Sequence, residues 1–159
     1  MIHRLEIATR RELTDARGEH AAAQIRDFLH IPVAGVRTRN LYHLEAEVSR
    51  EELERVLAEL SDPVLHLGAI GRVEDGPFDA AITVAYKPGV ADPVGRSAKV
   101  AIQDTLGRRL EEEAAVYTSV LYLLDGVDLA QAETIARDLL ANPVIQTATV
   151  VDREAWLDS

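Results

Sequence analysis

The sequence predicts an α+β fold: a two-layer sandwich of two tandem strand–helix–long strand–helix–strand repeats, forming a pseudo-twofold unit. Three observations predict it. Period-two alternation marks strands, as where Ile82, Val84 and Tyr86 interleave with Ala81, Thr83 and Ala85. A strand-to-helix junction occurs twice, as Asp92-Pro93-Val94-Gly95 and, in worn form, as Asp15-Ala16-Arg17-Gly18, 77 positions earlier. Later segments recur at 80 positions: Val36-Arg37-Thr38 with Val116-Tyr117-Thr118, Leu41-Tyr42 with Leu121-Tyr122, and Asp62-Pro63-Val64 with Asn142-Pro143-Val144. The change of offset falls in the turn after the first helix, where insertions are tolerated.

Residues 2–9 alternate as a first strand. Asp15 caps a helix over 15–30, with Ala21, Ile25, Phe28 and Leu29 on its apolar face and Pro32 and Gly35 ending it. Residues 35–48 carry no turn pair, and Val36, Thr38, Tyr42, Leu44, Ala46 and Val48 share one parity, so they read as one long strand. Ser49 and Glu52 form a capping box for the helix of Leu53, Val56, Leu57 and Leu60. Ser61-Asp62-Pro63 stops it, because the residue before proline avoids helical geometry. A strand over 64–70 closes the first repeat.

The second repeat follows the same order. Residues 78–86 are a strand, and Pro88-Gly89 punctuates the turn. Asp92 caps the next helix, 92–107, and Pro93 sits where a missing N–H costs nothing. Its predicted apolar face is Val94, Ala98, Ala101, Ile102 and Leu106, and Gly107 ends it. Glu111-Glu112-Glu113 reads as a solvated loop. Residues 115–124 form the long strand. Leu121 and Leu123 oppose Tyr122 and Leu124, so that strand is apolar on both faces and predicted to be buried on both. Asp128 and Gln131 open the last helix, with Ile135, Ala136, Leu139 and Leu140 inward, Asn142-Pro143 stops it, and 144–151 is the final strand. The domain reading is therefore 1–71 and 78–151 as repeats, 72–77 as linker and 152–159 as tail. Trp156 in that tail docks back on the domain or anchors a partner, and docking back is preferred.

Composition bounds the function. Of 159 residues, 28% are charged and only 4% aromatic, so the core is aliphatic. A net charge of −10 argues against nucleic acid or an anionic membrane as partner, since both are bound by neutralising phosphate. With no cysteine there is no disulfide, zinc–thiolate site or thiol nucleophile. No signal peptide is read at Met1-Ile2-His3, no apolar run is long enough for a membrane span, and a cytoplasmic location is expected.

Chemistry-bearing constellations are sparse. His3, His20, His30, His43 and His66 show neither HxH nor HExxH spacing. His3 and His43, with Glu45, form a weak candidate metal or enzymatic surface. Glu45 and Glu47 share a strand face, as an acid–base pair would, but nothing adjacent would raise a pKa. Ser49 and Ser97 lack a nucleophile elbow. The helix starts at Asp15 and Asp92, near Arg17, Lys87 and Arg96, could bind an anion, but each already carries a capping carboxylate. No metal or catalytic residue is assigned, and the chain reads as non-catalytic by itself.

Tyr86-Lys87-Pro88-Gly89-Val90-Ala91-Asp92-Pro93-Val94-Gly95, followed by a helix and then Leu139-Leu140-Ala141-Asn142-Pro143-Val144-Ile145, resembles the PurS family. PurS is the small subunit of phosphoribosylformylglycinamidine synthase. Matching positions are Lys87, Pro88, Gly89, Asp92, Gly95, Asn142, Pro143 and Ile145, all readable as fold-forming. The first repeat keeps Asp15, Gly18, Asp62, Pro63 and Val64, while Arg11 and Glu12 replace the Pro-Gly turn. The tandem resembles the N-terminal region of fused large synthases, where two such units stand in for a PurS dimer. The resemblance implies a non-catalytic assembly component of a glutamine-dependent carbon–nitrogen ligase in purine biosynthesis. It bridges a PurL-like synthetase and a PurQ-like glutaminase and assists ammonia transfer. No cofactor is implied for this chain, since ATP and magnesium belong to the synthetase. The alternative is an ACT-like regulatory module that binds a small ligand, motivated by the strand-to-helix turns and the paired arrangement.

Overall fold

A computed structural model describes residues 1–74 and 76–159. Asp75, within the 72–77 linker read from the sequence, lies outside the described residues. The fold is α+β, as predicted. The described strands are β1 (Ile2–Thr9), β2 (Gly35–Glu45), β3 (His66–Ile70), β4 (Ala80–Tyr86), β5 (Ala115–Asp125) and β6 (Gln146–Asp152). The helices are α1 (Ala16–Leu29), α2 (Arg50–Leu60), α3 (Pro93–Leu106), α4 (Leu129–Ile135) and α5 (Arg153–Leu157), α4 running on into a π-helical turn at Ala136–Leu140. The strands hydrogen-bond in the order β3-β1-β2-β5-β4-β6. The β1–β3, β4–β5 and β4–β6 pairs are antiparallel.

The chain packs as two units that draw elements from both sequence repeats. The first comprises Met1–Leu13, Asn40–Glu74 and Ala91–Thr118. Its core joins Leu5 of β1 and Leu44 of β2 to Leu53 and Val56 of α2 and to Ala98, Ile102 and Leu106 of α3. The second comprises Thr14–Arg39, Asp75–Val90 and Ser119–Ser159. There Ala21, Ala22 and Ile25 of α1 meet Ile82 and Val84 of β4, Leu124 of β5, and Ala132 and Ile135 of α4.

The helices α1 to α4 begin where the sequence places a cap. Ser49 accepts from Glu52 N–H while the Glu52 carboxylate returns the bond, and Asp128 and Gln131 repeat this box at α4. Several details depart from expectation. Phe28 is 69% exposed and Val94 53% exposed, so neither belongs to the apolar face assigned to it. The buried stripe of α3 is Gly95, Ala98, Ile102 and Leu106. α1 ends at His30, whose left-handed φ of 56° closes the helix before Pro32 is reached. β2 stops at Glu45, three residues short of the predicted end. β3 and β6 begin at His66 and Gln146, because Val64-Leu65 and Val144-Ile145 belong to turns. The π-helical turn, closed by Ala141 N–H to Ala136 C=O, was not foreseen. The tail folds as α5, capped by Asp152, and buries Trp156 against the domain. Leu121, Leu123 and Leu124 are all buried, which agrees with a strand covered on both faces.

Gly18 and Gly95 explain how closely α1 and α3 approach their long strands. A Cβ on Gly18 would lie 2.3 Å from Val36 C=O, and one on Gly95 2.2 Å from Val116 C=O. The obstacle is backbone and cannot swing aside. Gly95→Ala is expected to cost about 1–3 kcal/mol, in the range of forced overpacking, as read by urea unfolding. Unchanged stability would show that the helix start is free to shift.

Candidate functional site

The sequence-matched motif resolves into a turn, a helix start and a second turn. Lys87, Pro88 and Gly89 make the turn. Val90 N–H donates to Lys87 C=O at 3.0 Å, and Gly89 has φ of +83°. That places proline and glycine where a type II turn requires them. Lys87 N–H also donates to Ile145 C=O at 2.9 Å, tying this turn to the start of β6.

The helix start is a carboxylate clip. Asp92 accepts from Gly95 N–H at 2.8 Å, which caps α3. It also accepts from Thr118 N–H at 2.7 Å and from the Thr118 hydroxyl at 2.8 Å. In the second unit Asp15 accepts from Gly18 N–H at 2.9 Å, Thr38 N–H at 2.6 Å and the Thr38 hydroxyl at 3.0 Å. Arg17 Nε donates to the same hydroxyl at 3.1 Å. These carboxylates are occupied as acceptors. They fix a helix to a strand. The sequence comparison had aligned Thr38 with Thr118 but given neither a role. Its one signal was that both strands repeat Val-x-Thr while both helix starts repeat Asp-x-x-Gly.

The third element is built twice as well. Asn142 Oδ1 accepts from Val144 N–H at 3.1 Å, Asn142 C=O accepts from Gln146 N–H at 2.8 Å, and Asn142 N–H donates to Gln146 Oε1 at 2.9 Å. Asp62 does the same with Val64 N–H at 2.8 Å, His66 N–H at 2.8 Å and His66 Nδ1 at 2.9 Å. Pro143 and Pro63 follow the capping residue in each turn. Val64 and Val144 stand 73% and 78% exposed at their tips.

Other candidates are placed apart. Leu5 and Leu44 face the helical core, so His3 shares a face with Leu5 and His43 points to the other side. His43 is half-buried, and desolvation, with the nearby Arg4 charge, lowers its pKa despite Glu6. The two histidines are not brought together. Among the described residues no group of three His, Cys, Asp or Glu is placed to hold a metal ion. Glu6 is fully buried, accepting from Arg4 Nε at 2.8 Å and Val73 N–H at 3.1 Å. Glu45 and Glu47 are exposed. Glu111 is more than a loop charge. Its carboxylate accepts from Glu47 N–H at 2.7 Å, the main cause of its lowered pKa. A cavity of about 420 Å³ in the second unit is lined by Glu19, Arg26, Arg37, Pro77 and Asp125 among others.

Residues 79–154 match the family model of PurS, phosphoribosylformylglycinamidine (FGAM) synthase. The stretch spans β4 through β6 and is just under half of the chain. The likeness to PurS read from the motifs is thereby shown for this part of the chain. No curated protein matches the sequence.

Arg108 joins α3 to the start of α2 in the first unit, donating to Glu52 at 2.9 Å and to Glu47 C=O at 3.0 Å. The Arg108 guanidinium, helped by Ser49 N–H, holds the Glu52 carboxyl down at about 2. A depressed carboxylate stabilises the fold above its unfolded pKa, near 4.5, and loses that contribution as pH falls toward 2. Arg108→Met should therefore flatten this part of the Tm-versus-pH profile between about 4.5 and 2. A wild-type slope retained in the variant would show that Arg108 does not set the Glu52 titration.

Proposed function

We propose that the chain is a non-catalytic assembly component of phosphoribosylformylglycinamidine synthase, acting in purine biosynthesis. The observation that carries the reading is the PurS match over residues 79–154. On this reading residues 1–71 are a second PurS-like unit, and the pair stands in for a PurS dimer. The chain bridges a PurL-like synthetase and a PurQ-like glutaminase in the cytoplasm and assists ammonia transfer between them. ATP and magnesium belong to the synthetase. The duplicated caps and turns support the tandem reading: Asp15 with Thr38 repeats Asp92 with Thr118, and Asp62 with His66 repeats Asn142 with Gln146.

The motif residues support a structural role. Pro88 and Gly89 form a turn, Asp92 and Gly95 seat a helix, and Asn142 caps a loop. No helix among the described residues is long and apolar enough to cross a membrane. The ACT-like small-ligand reading, drawn from the strand-to-helix turns and the paired arrangement, would need a cavity such as the one beside α1. Both of its guanidiniums are engaged with backbone carbonyls, Arg26 with Val33 at 3.0 Å and Arg37 with Pro77 at 2.5 Å. Assembly is therefore the preferred reading.

Reconstitution tests it. With synthetase and glutaminase supplied, glutamine-dependent product formation should need this chain, whereas turnover with added ammonia should depend on it far less. Equal glutamine-dependent rates with and without the chain would refute the proposal.

A further inference from the structure

We propose that the free edge of β6 is a self-association surface, on which a second copy of this chain adds its own β6 antiparallel. This inference does not depend on the synthase reading. β6 ends the sheet and pairs only with β4 among the described strands. Its ladder fixes which groups face outward. Lys87 N–H donates to Ile145 C=O at one end, and Arg153 N–H donates to Asp79 C=O at the other. In an antiparallel pair the bonded residues alternate, so Thr147, Thr149 and Val151 bond to β4. Gln146, Ala148, Val150 and Asp152 then direct their backbone groups to the open side. Gln146 N–H is already taken by Asn142 C=O. The N–H and C=O groups of Ala148 and Val150 form an unpaired row.

Edge strands are ordinarily blunted by charge, proline, a bulge or short length. β6 has no proline, and its only charge is Asp152 at the C-terminal end; Gln146-Thr147-Ala148-Thr149-Val150-Val151 is uncharged and β-prone in a chain of net charge −10. The opposite edge, β3, is shorter and interrupted by Gly68. A twofold axis at Thr149 sets Ala148 opposite the second copy's Val150, so the outward N–H and C=O of each meet those of the other. The same register sets Gln146 opposite the second copy's Asp152, and no like charges face each other. Ala148 and Val150 also line a cavity of about 340 Å³ with Ala136, Ala141 and Pro143, and with Glu133, Arg137 and Gln146 as its polar members. The incoming Val150 would extend the apolar part of that lining. An isologous contact of this kind needs no feature beyond the strand itself. Two copies of net charge −10 repel, so screening should favour pairing.

Sedimentation equilibrium of the whole chain, over a wide concentration range at low and high salt, tests this. The mass should rise from 17.5 kDa toward twice that value, and more readily at high salt. Amide exchange at Ala148 and Val150 should slow in step. Ala148→Pro removes an outward N–H without touching a β4 bond, a position where an edge strand tolerates proline. It should stay at 17.5 kDa while keeping the wild-type circular dichroism spectrum. A wild-type chain that stays monomeric throughout would overturn the proposal. So would a folded Ala148→Pro that associates as wild type does, or association with no slowing of exchange at Ala148 and Val150.

Discussion

Asp92 accepts hydrogen bonds from a helix amide, a strand amide and a strand hydroxyl at once. Hydrogen bonds to an ionised acceptor are stronger than neutral ones. Here they come from two different elements, Gly95 of α3 and Thr118 of β5, 3 and 26 positions along the chain from the aspartate. The carboxylate therefore fixes where α3 begins and how closely it lies on β5. Gly95 completes the constraint, because only a residue without Cβ fits against Val116 C=O. With that origin fixed, Ala98, Ile102 and Leu106 fall toward the core at helical spacing, and Val94 and Val100 fall outside it. Asp15, Gly18 and Thr38 impose the same geometry on α1 and β2 in the other unit.

Local signals were the legible ones. The capping boxes at Ser49 and Asp128 involve residues three apart, so their chemistry can be read without tertiary information. Strand parity was legible for the same reason, and it anticipated a β5 buried on both faces at Leu121, Leu123 and Leu124. The motif residues were readable as fold-forming, but their partners were not. Thr38 and Thr118 lie 23 and 26 residues from their aspartates, and no periodicity announces a hydrogen bond across that span. Phe28 was assigned inward because it continues a stripe through Ala21 and Ile25. The stripe is set by what packs against α1, and Phe28 falls beyond it. The π-helical turn at Ala136–Leu140 has no composition that distinguishes it from ordinary helix. The packed units were illegible too, since adjacency in sequence does not say which helix shares a core with which.

A chain whose recognisable residues are spent on turns and caps must act, on the proposed reading, through the surfaces those turns and caps hold in place. The Asp62 and Asn142 turns illustrate this. Each spends two side chains on closing a loop and leaves an exposed valine at the tip.

The most direct measurement of the clip is a double-mutant cycle on Asp92→Ala and Thr118→Val, read by equilibrium unfolding. Asp92→Ala alone mixes the loss of the cap with the loss of the strand contact, and the cycle isolates the second. A coupling of about 1–2 kcal/mol is expected between the two positions, as for residues sharing one hydrogen-bond network. Additive effects, with coupling below about 0.5 kcal/mol, would mean that Asp92 only caps its helix and that the strand is held by other contacts.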